Sequence, residues 1–447
     1  MLPVMRPTFR VLLLVIAAGY ATAAAASDAA ALARKFVELY NAGKAEPLAA
    51  FLGEHLSQEL LAKTPAAERA ASFADFRTQS GPFVIRELRP KGEELFALVQ
   101  STDSEAWFGI TFRAVAGDAH ELTKLSFSFA DAPTLTESEQ ALAPRAIAAR
   151  TKEYVDHLAA VGRFKGTVLL AHHGKPLLVV HHGPDTPQSI ASVGKLFTSV
   201  AIARLVADGK LSLDDLLGRV LPDYPNDDAK ARVTVRHLLA HTSGLPDYME
   251  HPDYAKAREA AGGRLPTLGA YLPFFASAPL QFAPGEKSEY SNSGYLVLGL
   301  IVEHLSGMTF EEYVAKHIFA PAKMTETPVE TVRPAGGELT TVADLLRFAN
   351  ALASGALLPR ETNARLLSTT AIAGTANEYG VEAEELNGHH FIGHGGGAPG
   401  MSAELDLALD DDYALALIAT HDDRAADNIT KKVQRLVASG RARLAKE

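Results

Sequence analysis

The run Ser192-Val193-Gly194-Lys195 sets an alcohol and an amine three residues apart, at the start of a helical stretch, Lys195 to Ala207, that Asp208-Gly209 closes. Residues i and i+3 share a helix face, so the amine is expected beside the hydroxyl. A serine hydroxyl becomes a useful nucleophile when a neighbouring base takes its proton, and a desolvated lysine can be that base. The helix N-terminus adds free backbone N–H groups and a partial positive charge near the reacting oxygen. Alone the pair means little, because serine and lysine three apart arise by chance in many chains. Its company gives it weight. Tyr290-Ser291-Asn292 follows about a hundred residues on, just before the apolar helix expected over Tyr295–Leu305. A phenol can relay a proton between nucleophile and leaving group, and an amide can hold a substrate carbonyl or the lysine. His394-Gly395-Gly396-Gly397 comes about a hundred residues further. Glycines there let a strand backbone approach a ligand closely. The backbone N–H groups of Ser192 and Gly397 would then form the two-donor cradle that acyl transfer needs for its oxyanion.

Similar local patterns elsewhere have plainer explanations. Tyr224-Pro225-Asn226 sits in a Pro/Asp-rich loop and reads as a turn. His-x-Gly recurs at His172 and His181 in a hairpin. Gly395 to Gly400 fits the G-x-G-x-x-G dinucleotide fingerprint, but Pro399 lies inside it and strands rather than a helix follow. The doublets His172/His173, His181/His182 and His389/His390 point to opposite faces of a strand, so no metal site is expected. No cofactor is expected either.

The elements that must carry these residues divide the chain in two. From Ser27 to about Ala130 helices come first: Leu32, Phe36, Leu39 and Tyr40 recur at helical spacing up to Asn41-Ala42-Gly43, with further helical stretches around Glu54–Lys63 and Pro65–Thr78. Four β-like runs follow, Phe83–Leu88, Leu95–Gln100, Ala106–Val115 and Glu121–Phe129, with Phe108, Ile110 and Phe112 alternating as a half-buried sheet requires. This α+β pattern, a domain over 27–132, resembles the cone-shaped fold of nuclear-transport-factor-like domains. It reads as a binding or spacer module whose partner the sequence does not identify. A linker over Asp131–Ala143 leads to Pro144, which opens a helix with Ile147, Tyr154, Val155 and Leu158 on its apolar face, so that 133–149 spans linker and helix start. The hairpin Gly166–Ala171/Leu177–His181 and the late strands Phe391–His394, Ala403–Leu409 and Ala414–Thr420 are expected to join one antiparallel sheet. The long helical stretch between them would form a second lobe, and the last 25 or so residues read as a helix.

Composition excludes whole classes of function. At 447 residues and 47% apolar, the chain can bury a core in each of two domains. It has no cysteine, which rules out thiol catalysis, disulfides, thiolate-bound zinc and iron–sulfur clusters. Lys+Arg 43 against Asp+Glu 53, a balance of −10 with no basic run, speaks against nucleic acid as a partner. Arg6 and Arg10, the apolar stretch Val11–Ala18 and the small residues Ala24-Ala25-Ala26 read as an export signal over 1–26, with Ala23 offering a second cleavage point. The apolar run is too short to span a bilayer, and no other is long enough, so the expected location is periplasmic or secreted, with no integral membrane segment after the signal is removed.

Taken in order, Ser192-x-x-Lys195, Tyr290-x-Asn292 and His394-x-Gly396 resemble the serine hydrolases of the class C β-lactamase and D-alanyl-D-alanine carboxypeptidase superfamily. Supporting phrases are Ile190-Ala191 before the serine, Leu238-Leu239-Ala240-His241-Thr242-Ser243-Gly244-Leu245, Glu289 to Tyr295, and Gly336-Gly337-Glu338-Leu339-Thr340-Thr341. The likeness covers roughly residues 150 to 440. It implies the β-lactamase/DD-peptidase fold over 150–447, an antiparallel sheet flanked by helices plus an all-helical lobe. It implies Ser192 as acylated nucleophile, Lys195 as its base partner and Tyr290 as proton relay. Asn292, His394 and Gly396 would contact substrate, with Ser192 and Gly397 as oxyanion donors. Which of Lys195 and Tyr290 takes the first proton is left open at this point.

One position departs from the pattern. The β-lactamases of this superfamily usually carry lysine where His394 stands, a permanent cation for a substrate carboxylate. Histidine titrates near pH 6.5, so activity on anionic substrates would fall between about pH 6 and 8 if His394 bound a carboxylate as imidazolium. The departure weights the reading towards hydrolysis of D-amino-acid peptides, amides or small esters over efficient β-lactam turnover. Two alternatives remain on the same fold: a catalytically silent penicillin-binding-like sensory or binding protein, and an acyltransferase.

Overall fold

A computed structural model describes residues 29–91, 94–115, 118–130, 132–133, 141–184, 186–372, 374, 376–420 and 424–440. The export signal expected over 1–26 and most of the linker lie outside these residues. The chain divides into two compact units, Met1–Thr134 and Leu135–Glu447.

The first unit opens with α1 (29–42), whose Leu32, Phe36, Val37 and Tyr40 form one buried face. Gly43 turns the chain at φ 66°, a left-handed conformation that suits glycine. The helix expected over Glu54–Lys63 is two helices instead, α2 (Ala45–His55) and α3 (Gln58–Lys63). They part at Leu56–Ser57, where the Ser57 hydroxyl accepts the Leu60 N–H and starts the second. After α4 (Ala66–Ser80) come β1 (Phe83–Lys91), β2 (Glu94–Ser101), β3 (Trp107–Val115) and β4 (Asp118–Phe129), an antiparallel meander in the order β1-β2-β3-β4. Phe108, Ile110 and Phe112 enter an aromatic core with Phe36, Tyr40 and Phe83. Gly109 on the opposite face is also covered: a Cβ there would lie 2.4 Å from the Phe96 ring.

In the second unit Pro144 starts α5 (Pro144–Ala160), burying Ile147, Tyr154, Val155 and Leu158. The hairpin β5 (Gly166–His172)/β6 (Lys175–His181) follows, then the short β7 (Gln188–Ser189), which pairs with β8 (Leu339–Thr340). Late in the chain come β9 (Glu382–Leu386), β10 (His389–Ala398), β11 (Met401–Ala408) and β12 (Tyr413–Ala419). They complete an antiparallel sheet ordered β6-β5-β12-β11-β10-β9. The early hairpin and the late strands meet at β5–β12, with Gly166 opposite Ala419. β9 has no counterpart among the expected strands, because Glu-Ala-Glu-Glu-Leu offers no apolar alternation; as an edge strand it needs none. One sheet face packs on α5 and the helix Ala425–Val437 through Val168, Leu415, Leu417, Ile429 and Val433. The other face, including Ile392, Leu405 and Ile418, packs on the helical lobe and on α6 (Lys195–Ala207). No helix among the described residues is long and apolar enough to cross a membrane.

Candidate active site

Ser192 does not stand on α6 itself. It lies in the 3-10 turn Ala191–Gly194 that leads into the helix, preceded by Ala191 at φ 44°. Left-handed backbone at a residue other than glycine costs roughly 1 kcal/mol or more and persists where surrounding contacts hold it. Here they do: Gly337 N–H donates to Ala191 O at 2.9 Å, and Ile190 N–H to Glu338 O at 3.0 Å.

Lys195, fully buried, reaches back to the turn. Its Nζ lies 3.0 Å from Ser192 Oγ, 2.9 Å from Asn292 Oδ1 and 2.7 Å from Ala335 O. The Tyr290 hydroxyl donates to Ser192 Oγ at 2.7 Å. Two segments about a hundred residues apart therefore meet at one serine oxygen. Burial pulls the Lys195 amine down to about 7, against the carboxylates of Glu338, Asp247 and Glu382, which favour the ammonium. The Tyr290 ring is half exposed, but its hydroxyl sits over Ser192, and loss of hydration there raises it to about 12.

The partners of Lys195 fix where its nitrogen sits. Asn292 Nδ2 donates to Asp247 Oδ2 at 2.9 Å, which sets the amide flip and leaves Oδ1 as an acceptor facing the amine. Ala335 O is an acceptor too. An ammonium can donate to all three oxygens, Ser192 Oγ, Asn292 Oδ1 and Ala335 O; once neutral, the amine keeps two N–H groups for the last two and turns its lone pair to the Ser192 hydroxyl.

Sequence reasoning missed Asp247 and gave His241 no role. Asp247 Oδ2 also accepts the Asn292 backbone N–H at 2.7 Å, so one carboxylate oxygen clamps both backbone and side chain of Asn292. His241 lies at φ 56° in its loop. Its carbonyl accepts Glu289 N–H at 2.9 Å, and its Nδ1 accepts Ser291 N–H at 3.1 Å. Its ring stacks on Tyr290 at 4.3 Å. Burial lowers the imidazole to about 3, so the ring stays neutral and can accept that N–H. His241 thus holds the segment that presents Tyr290. The phrase around it was visible in the sequence, but nothing local shows a contact fifty residues away.

Residues 151–439 match the protein-family model described as Beta-lactamase, well over half of the chain. The chain belongs to the Beta-lactamase family. Among curated relatives, it is 34% identical over 184 residues to penicillin-binding protein 4* of Bacillus subtilis. It is 32% identical over 176 residues to a putative D-alanyl-D-alanine carboxypeptidase of Escherichia coli O157:H7. These matches take in 37% and 38% of this chain, and 38% of each relative's own length. Among solved structures, a penicillin-binding protein from Bacillus halodurans aligns with TM-score 0.53 and 27% identity, over 66% of this chain and 100% of that one. A D-stereospecific amidohydrolase from Streptomyces sp. aligns with TM-score 0.57 and 25% identity, over 64% of this chain and 98% of that one.

In this Beta-lactamase family chain the third motif lies on β10. Gly396 marks the closest approach of strand to nucleophile turn: a Cβ there would meet Ile190 O at 2.4 Å and Ser192 N at 2.7 Å. Having no side chain there lets the strand backbone lie against the turn. Leu409 N–H donates to His390 O, so even-numbered residues of β10 bond towards β11 and odd-numbered ones face the other edge. β9 ends opposite Gly393, which leaves the N–H of the exposed Gly397 on an open edge. His394 is the correction. It is 3% exposed, its Nδ1 lies against Gly395 O, and burial lowers its pKa. A neutral, covered ring is ill suited to hold a substrate carboxylate as imidazolium between pH 6 and 8.

Proposed function

We propose that this chain is an exported serine hydrolase that works through an acyl-enzyme at Ser192, on amide and peptide bonds of the D-amino-acid class and on small esters. One observation carries the reading: Ser192 Oγ lies 3.0 Å from Lys195 Nζ and 2.7 Å from Tyr290 OH. The neutral Lys195 amine takes the hydroxyl proton as Oγ bonds to the substrate carbonyl carbon. The oxyanion gathers at the N–H groups of Ser192 and Gly397. Tyr290, a phenol throughout the neutral range, passes a proton to the leaving nitrogen or oxygen and is refilled from Lys195. The bond to the leaving group then breaks. Water follows the same path in reverse and releases the acid. The similarity to a putative D-alanyl-D-alanine carboxypeptidase and to a D-stereospecific amidohydrolase supports amide and peptide substrates. The covered, neutral His394 supports substrates without a carboxylate at that position over β-lactams. The sequence of residues 1–26 supports a periplasmic or secreted location.

The test is a kcat/KM panel of D-amino-acid amides, D-Ala-D-Ala peptides, short esters and β-lactams. Amides or esters are expected to lead; β-lactams leading would overturn the substrate class, and labelling of Ser192 without turnover of any substrate would make the chain a silent binder. An amine acceptor added to the assay should leave hydrolysis as the main product, and predominant acyl transfer would contradict that. On a neutral substrate, kcat/KM is expected to rise about tenfold per pH unit up to about 7, where Lys195 loses its proton, and then to level. A flat profile below pH 7 would remove Lys195 as the base.

Asp247→Asn tests the clamp. The new amide replaces a carboxylate that accepts two N–H groups from Asn292, so the Asn292 side chain is free to turn its N–H groups towards Lys195. We expect kcat to fall about 10²-fold, the scale of a misplacement of about 1 Å, with little change in KM. Wild-type kcat in this variant would show that the clamp is dispensable.

A further inference from the structure

β9 stops short of the third motif. It begins at Glu382, opposite Gly393, so among the described residues no strand lies beside the edge of β10 that carries Gly395 and Gly397. The Glu382 side chain reaches along that edge instead: the Gly395 N–H donates to its Oε2 at 3.4 Å. Glu404 comes from β11 to the same glycine, where a Cβ would lie 3.1 Å from its Oε2. The next residue, Gly396, is packed on the nucleophile turn, its Cβ position 2.7 Å from Ser192 N. Two carboxyl groups thus border the strand one residue from its contact with Ser192.

Burial raises the Glu404 carboxyl well above the usual carboxylate range, so the charge at this edge belongs to Glu382. The basic groups of the site do not balance it. Lys195 is committed to Ser192 Oγ, Asn292 Oδ1 and Ala335 O, and burial disfavours a charge on the covered His394 ring.

A substrate whose carbonyl oxygen sits between the N–H groups of Ser192 and Gly397 lies along this edge. Residues two apart on a strand are about 7 Å apart, so a charge about three bonds beyond the reacting carbon comes level with Gly395 and the carboxylate beside it. The Glu382 charge also acts on Tyr290, the phenol that protonates the leaving atom, and on His394, which puts it on the leaving-group side. We propose that Glu382 is a specificity-determining residue that selects the charge of the leaving group: its carboxylate, held on the open edge of β10, excludes a leaving group that carries a carboxylate and receives one that carries an ammonium. The proposal rests on the acyl-enzyme reading and deepens it, naming amides with neutral or cationic leaving groups as the substrate class. A substrate carboxylate at Gly395 would meet a like charge, and an ammonium would pair with Glu382 while Oε2 keeps the Gly395 N–H.

The test uses three D-alanyl amides of matched length, with propylamine, β-alanine or ethylenediamine as the leaving amine, in wild type and in Glu382→Gln. Glutamine keeps the shape and an oxygen for the Gly395 N–H. Each kcat/KM is read as a ratio to the propylamide at one pH, so a change in Lys195 is common to all three. Wild type should rank the ethylenediamine amide first and the β-alanine amide last, and Glu382→Gln should shrink the span between them about tenfold. Raised salt should compress the wild-type span without any substitution, and a span indifferent to salt contradicts the proposal. Equal spans in the two proteins overturn it; so does a common fall of all three amides with the span kept, which is what a merely structural role gives. A charge preference that appears only on the acyl side, between D-alanyl and N-acetyl-D-alanyl propylamide, overturns it too. A readout without turnover separates the proposal from the reading beneath it. On a Ser192→Ala background, titration calorimetry with the same three amides should give the same order of affinity, levelled by Glu382→Gln. That order in a protein whose wild type hydrolyses none of them leaves the charge selection standing and the acyl-enzyme reading wrong. Hydrolysis through Ser192 with a span unchanged by Glu382→Gln does the reverse.

Discussion

Ser192→Ala is expected to lower kcat by about 10⁶ and to abolish acylation, the scale seen when a serine hydrolase loses its nucleophile. The methyl group leaves the rest of the site standing. Lys195 keeps Asn292 Oδ1 and Ala335 O, so its amine stays anchored, and Tyr290 remains stacked on His241. Substrate binding should therefore survive, with KM changed far less than kcat. Any residual rate would come from the backbone donors of the oxyanion cradle and from binding alone. Turnover retained in this variant would mean that the reacting oxygen is not Ser192 Oγ, and the mechanism proposed above would be wrong.

The second large effect belongs to the base. Lys195→Ala should cost about 10⁴ in kcat/KM, the upper range for a positioned general base. It should also remove the acidic limb near pH 7, because the group that titrates there is gone. Lys195→Arg is the sharper variant. A guanidinium keeps the positive charge but does not give up its proton in a protein, so it cannot receive one from Ser192. If Lys195 served only as a charge, Arg would restore activity; the account predicts that it does not. The alanine variant also leaves Asn292 Oδ1 and Ala335 O without their donor in a buried site, which should cost about 1–3 kcal/mol of stability by denaturant unfolding.

Much of this site is legible in the sequence because its chemistry is carried by residue types at short local spacing. Ser192 and Lys195 lie one helical turn apart, Tyr290 and Asn292 two residues apart, and the glycines of β10 are consecutive. What stays hidden is every contact that only the fold creates. Asp247 reaches Asn292 across 45 residues, and Ala335 reaches Lys195 across 140. Glu338 looks like one polar residue in a turn until its carboxyl is found in the place of a Gly194 side chain. His394 misled for a related reason: its position in the motif implies an exposed cation, whereas the fold covers its ring. The same limits shaped the fold. Apolar alternation revealed β3, β11 and β12, but β9 is an edge strand of mostly acidic residues and carries no such signal. Asn41-Ala42-Gly43 marked the end of α1, yet another helix restarts two residues later at Ala45, because a left-handed glycine ends one helix without preventing the next.

The most direct measurement is peptide mapping by mass spectrometry after brief exposure to a fluorophosphonate, over a range of pH. Modification is expected on a single peptide containing Ser192, at a rate that climbs with pH and levels above about 7 as the amine of Lys195 becomes neutral. An adduct on another residue, or at Ser192 with a rate indifferent to pH between 5 and 8, would contradict the account.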